Sequence, residues 1–111
     1  MAITKSNGPF VLHVGDFAEA AECLRTIAHP ARLRILQLVA KKARSVGDLA
    51  EACDMRSHET SGHLRLLKDR GLLDSERRGR NVYYRLAEPA VRGILRCVEH
   101  RFGGRTRWGK R

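Results

Sequence analysis

The sequence predicts a mainly α-helical domain with one small β-hairpin, in the order α-α-α-α-β-β-α. Three observations lead there. Apolar residues recur at helical spacing in five segments, most of them bounded by residue types that start or stop helices. Between the fourth and fifth the period falls to two: Val82, Tyr84 and Leu86 alternate with Asn81, Tyr83 and Arg85, as strand residues do. The length of 111 residues suits one domain around one core.

Each element has its own signal. Ser6-Asn7-Gly8-Pro9 lies in a flexible arm expected over 1–15. Asp16 can then cap a first helix whose apolar positions are Phe17, Ala20, Ala21, Leu24, Ile27 and Ala28. His29-Pro30 interrupts it. Pro30 suits the first turn of a second helix through Leu33, Ile35, Leu36, Leu38 and Val39, because a first-turn N–H has no helical partner to lose. Lys41-Lys42 place positive charge at its carboxyl end, where the helix dipole favours it.

Ser45, followed three residues later by Asp48, resembles a capping box and opens a short third helix over Leu49, Ala50 and Ala52. After a break at Asp54-Met55-Arg56, a fourth helix runs from Ser57 to Arg70, with Gly71 as its left-handed carboxyl cap. Arg78-Gly79-Arg80-Asn81 turns the chain between two antiparallel strands. The last helix starts near Glu88-Pro89, carries Val91, Ile94, Leu95, Val98 and Phe102 on one stripe, and stops at Gly103-Gly104. The domain is therefore expected over 16–103, followed by a basic tail, 104–111, whose one apolar anchor is Trp108.

The composition, 42% hydrophobic and 31% charged, is that of a folded chain. Its net charge of +10 and pI of 10.6 call for a polyanion, and nucleic acid is the first partner to expect. The opening residues lack the apolar run of a secretory signal and no stretch approaches 18 apolar residues, so no membrane partner and a cytoplasmic location are expected. Cys23, Cys53 and Cys97 are odd in number and form no CxxC pair, which argues against both a disulfide framework and a zinc finger.

The stretch RSHETSGHLRLL resembles a zinc-hydrolase motif in its letters only. Such a site needs histidines four apart on a helix, whereas His58 and His63 are five apart and diverge by about 140°. The helix instead has two faces. Thr60, Leu64 and Leu67 form an inward stripe, while Ser57, His58, Ser61, Gly62, Arg65 and Lys68 form a polar, basic outward one. Short side chains and Gly62 permit close approach to a base-pair edge or phosphate, and Arg65 and Lys68 can neutralise phosphates. A solvated surface helix would look similar taken alone. Here, however, a short helix and a tight turn precede it, and the hairpin that follows carries Arg77, Arg78 and Arg80 at its tip. These are the parts of a winged helix-turn-helix.

The segments LRTIAHPARLRILQLV, SVGDLAEACDMRSHETSGHLRLLKDRGLL and RRGRNVYYRL resemble the ArsR/SmtB family of bacterial transcriptional repressors, over roughly Phe17 to Phe102. The resemblance implies a homodimer built largely from the first and last helices. It would bind a roughly palindromic double-stranded DNA operator and release it when a metal or oxidant is sensed. It also places Ser57, His58, Ser61, Gly62 and His63 at DNA-contacting positions. Arg56 stands where the family commonly has a serine cap, leaving Ser57 as the alternative cap and adding a cation beside the groove.

Sensing residues are less defined. The chain has neither the Cys-x-Cys near the third helix nor the paired acidic and histidine ligands on the last helix that metal-sensing relatives carry. Ala90 stands where a histidine partner to Glu88 is expected, and Glu99-His100 is an incomplete remnant. No metal and no cofactor are therefore expected. Cys23 on the first helix and Cys97 on the last are conceivable as a redox- or sulfide-responsive thiol pair, but the preferred reading is two small buried hydrophobes. Cys53 reads as core of the third helix. His29 reads as a helix-junction residue bonding locally, and His13 and His100 as exposed. Of Tyr83 and Tyr84, one should pack under the wing while the other is free to touch phosphate.

The expected function is a dimeric, sequence-specific DNA-binding repressor, released by a small inducer that the sequence does not identify. A basic RNA-binding or assembly module on a winged fold is the alternative from another class. No nucleophile, base and orienting group occur together and there is no phosphate loop, so an enzyme is not expected.

Overall fold

The computed structural model describes residues 11–103. The expected arm up to residue 10 and the tail from 104 with Trp108 lie outside them. The elements run α1 (Val14–Ile27), α2 (Pro30–Lys41), β1 (Arg44–Ser45), α3 (Val46–Ala52), α4 (Ser57–Asp69), β2 (Leu73–Arg78), β3 (Asn81–Leu86) and α5 (Val91–Phe102).

Most boundaries follow from the capping chemistry of the sequence. Pro30 opens α2, and the His29 ring caps it by accepting the Ala31 N–H through Nδ1 at 3.0 Å. The Ser45 hydroxyl accepts the Asp48 N–H at 3.1 Å and starts α3. Gly71, at φ +79°, ends α4 in the left-handed conformation that a side chain disfavours.

Four details differ from the sequence reading. Helix α1 begins at Val14, because Asp16 acts from the third helical position and not as the cap: its carboxylate accepts the His13 N–H at 2.9 Å. Arg56 holds the cap position of α4 without a side-chain cap bond, and Ser57 is the first helical residue. Pro89 belongs to a tight turn ahead of α5, in which Glu88 Oε2 accepts the Ala90 N–H at 3.0 Å. The hairpin also gains a third strand, since Arg44 and Ser45 pair with Tyr84 and Tyr83 in the order β1-β3-β2.

The core brings together Ile35 and Leu36 of α2, Leu49 of α3, Leu64 and Leu67 of α4, Leu73 of β2 and Val91 of α5, all fully buried. Helix α4 is thus held from behind by α2, α3 and β2. Helix α1 is the exception. Only Thr26 and Ile27 of it are buried, while Phe17 and Leu24, two of its expected apolar positions, stay exposed, as do Val14 at its start and Phe102 of α5.

Candidate nucleic-acid interface

The two-faced reading of α4 holds in three dimensions. Thr60, Leu64 and Leu67 are fully buried. The Thr60 hydroxyl is satisfied by the Arg56 carbonyl at 2.9 Å, the i−4 bond open to a threonine facing inward. Ser57, His58, Gly62, Arg65 and Lys68 are exposed and Ser61 is half-buried. A Cβ added at Gly62 would meet nothing within 4 Å, so this part of the helix surface is open.

In the wing, the strand register pairs Arg78 with Asn81, leaving the two-residue loop Gly79-Arg80. Gly79 has φ +63° and Arg80 has no positive φ, the pattern of a type II′ turn, whose twist matches that of the strands. Arg77, Arg78 and Arg80 are all exposed at this end. Arg78 lies over the Tyr83 ring at 4.6 Å and pairs with Glu76 at 3.6 Å. Arg85 spans Asp74 at 3.7 Å and Glu76 at 3.4 Å. Among the described residues, the side chains of Arg56, Arg65, Arg77 and Arg80 have no hydrogen-bond or ion-pair partner. Tyr84 packs on the core, and Tyr83 takes the cation.

Two of the residues expected at the DNA surface bond within the protein. Lys68 Nζ donates to Ser75 Oγ at 2.8 Å, tying α4 to the base of the wing. His63 is half-buried, its ring centroid 4.7 Å from that of His29, and its Nδ1 accepts from Arg32 Nε at 3.2 Å. Burial, then the neighbouring His29 and Arg32, push its pKa below the ordinary value, with Glu59 acting the other way. Nothing in its sequence spacing signalled this, because the partners lie at the α1–α2 junction.

The cysteines are all free thiols. Cys23 is half-buried against the core, while Cys97 is exposed on α5 and in this chain is not the buried hydrophobe expected. Helix α1 packs chiefly on α2 and α4, and α5 on α2. Cys53 is half-buried, and burial raises its thiol pKa against the opposing charge of Arg34. Among the described residues no three His, Cys, Asp or Glu side chains gather as metal ligands would, and no helix is long and apolar enough to cross a membrane.

A family model described as a helix-turn-helix domain matches residues 27–76. The chain is 36% identical over 90 residues to a transcriptional repressor SmtB homolog of Synechocystis, covering 81% of this chain and 68% of that protein. The chain belongs to the ArsR/SmtB family. As a member, it is a DNA-binding transcriptional regulator of the winged helix-turn-helix type and not an enzyme. A biofilm growth-associated repressor of Agrobacterium fabrum is 40% identical over 80 residues, 72% of this regulator and 68% of that chain. Among solved structures, a homodimeric winged helix-turn-helix DNA-binding domain of Mycobacterium bovis superposes with TM-score 0.69 at 30% identity, covering 84% of this regulator and 86% of that domain. The AntR antimony-specific transcriptional repressor superposes with TM-score 0.71 at 28% identity, covering 87% and 89%.

Proposed function

We propose that the regulator is a dimeric cytoplasmic repressor that sets α4 of each protomer into successive major grooves of a roughly palindromic operator and leaves it when an inducer binds. The observation that carries this is the outward face of α4: short side chains at Ser57, Ser61 and Gly62 beside the unpartnered Arg56 and Arg65. His58 lies on the same exposed surface. Arginine suits bidentate contact with a guanine edge or a phosphate, and serine hydroxyls suit either groove edge or backbone. The wing, with Arg77, Arg78 and Arg80, follows the adjacent phosphates.

Dimerisation is supported by the exposed apolar residues of α1, Val14, Phe17 and Leu24, since such surface on a small chain is usually an interface. Two recognition helices then need a separation of about 34–36 Å, one turn of duplex. The names of the Synechocystis and Agrobacterium relatives favour repression over activation.

Fluorescence anisotropy with the regulator's own promoter duplex and a random duplex of equal length tests this. A preference of at least roughly a thousandfold is expected at physiological salt. Equal affinities would refute sequence reading, because phosphate contacts alone do not discriminate.

A further inference from the structure

Arg32 stands where three helices meet. The Thr26 carbonyl lies in the last turn of α1 and has no i+4 donor there, because the chain leaves the helix at Ala28 and His29. Arg32 Nη1 fills that place, donating to Thr26 O at 3.0 Å from the first turn of α2. Its Nε donates to His63 Nδ1 on α4 at 3.2 Å. One guanidinium therefore ties the end of α1, the start of α2 and the recognition helix together. The ring of His29, already fixed as the cap of α2, packs against the other imidazole.

We propose that Arg32 and His63 are positioning residues for DNA recognition, setting the angle of α4 against the α1–α2 elbow through a hydrogen bond that needs a neutral imidazole. The proposal rests on the reading that α4 enters the groove. If α1 carries the dimer contact, the elbow links each recognition helix to the other, and an error there displaces both half-site contacts at once. The guanidinium is committed to two acceptors within the protein, so it acts on DNA through α4.

The bond depends on protonation. While Nδ1 accepts, the ring carries its one proton on Nε2. The charged and titratable groups acting on His63 are His29 and Arg32 from the elbow and Glu59 one turn earlier on α4. The first two oppose a second proton, as does burial, and Glu59 alone favours it. The imidazole is thus neutral above its ordinary value of about 6.5 and charges only on acidification. Protonation turns Nδ1 into a donor facing the Arg32 N–H, replacing an attraction with two adjacent cations.

The test is the ratio of affinities for promoter and random duplex, measured from neutral pH downwards. Positive charge gained elsewhere on the surface in acid strengthens both complexes and largely cancels in the ratio. The wild-type ratio should fall roughly tenfold on acidification, the effect of one charge-assisted hydrogen bond. His63→Asn keeps an acceptor where Nδ1 sits and takes no proton, so its ratio should stay flat across the same pH range. Arg32→Lys cannot serve both acceptors and should lower the ratio while leaving the salt slope unchanged. A wild-type profile identical to that of His63→Asn, or a salt slope reduced in Arg32→Lys, overturns the proposal. Nitrogen-15 NMR of the imidazoles in the free protein decides the bond without DNA: the Nε2–H tautomer is expected for His63, and Nδ1–H would refute the clamp. A wild type without promoter preference would sink the functional reading, while the tautomer would still decide the clamp.

Discussion

Arg80→Ala separates a wing that lies on phosphate from one that merely decorates the surface. Arg80 occupies the second position of the hairpin loop, is exposed and has no partner among the described residues. Its removal therefore deletes a charge without disturbing a contact. Each phosphate neutralised contributes about 0.9 to the slope of log K against log salt, so two wings per dimer should lower the slope by about 1.8. Between about 50 and 200 mM salt, a fourfold change, that amounts to roughly tenfold less loss of affinity. Arg78 provides the internal control. Its charge is shared with Glu76 at 3.6 Å and rests on Tyr83, so Arg78→Ala should change the slope less. Anisotropy titrations across a salt series measure both. An Arg80→Ala slope equal to wild type would refute the placement of the wing on the backbone.

Other substitutions probe the parts that hold the reading surface. Leu64→Ala empties a fully buried site behind α4 and should cost about 2–5 kcal/mol in urea unfolding; a loss well below that range would mean that the core does not anchor the helix there. Gly62→Ala should stabilise the fold by about 0.5–1 kcal/mol, since the site is mid-helix and open, yet weaken operator binding by placing a methyl group against the DNA. Tighter binding would show that Gly62 does not face the groove. Cys53, with its raised thiol pKa, should be alkylated more slowly than a free cysteine peptide at neutral pH, as mass spectrometry can follow; equal rates would contradict its burial. Because the folded pKa of His63 is lowered, the unfolded chain binds that proton more readily. Stability should therefore fall as pH drops from the ordinary histidine range through the lowered value, and His63→Asn should reduce that dependence in denaturation series.

The helices were legible in the sequence where local chemistry decides them. Pro30, Ser45 and Gly71 act through their own backbone or a neighbour three residues away, and each marks the boundary that its chemistry implies. Elements decided elsewhere were not legible. Strand β1 is two residues long, too short for a period, and exists because β3 offers Tyr83 and Tyr84 as partners. Helix α1 shows the opposite case: its apolar positions are legible, but spacing cannot say that Phe17 and Leu24 remain exposed among the described residues. Periodicity identifies a face to be buried and not what buries it.

The same division runs through the interface. The inward stripe of α4 follows from helical geometry, and Thr60, Leu64 and Leu67 bear it out by their burial. His63 sits between the two faces, where an angle around the helix does not determine a partner. Its environment is set by Arg32, 31 positions away, and Arg32 is placed by a carbonyl left open at the end of α1. The helix end that Pro30 made readable thus also offers the acceptor that holds Arg32 beside α4. Arg32→Ala should leave Thr26 O and His63 Nδ1 without their shared donor. Promoter preference would then weaken, although no residue at the interface has changed.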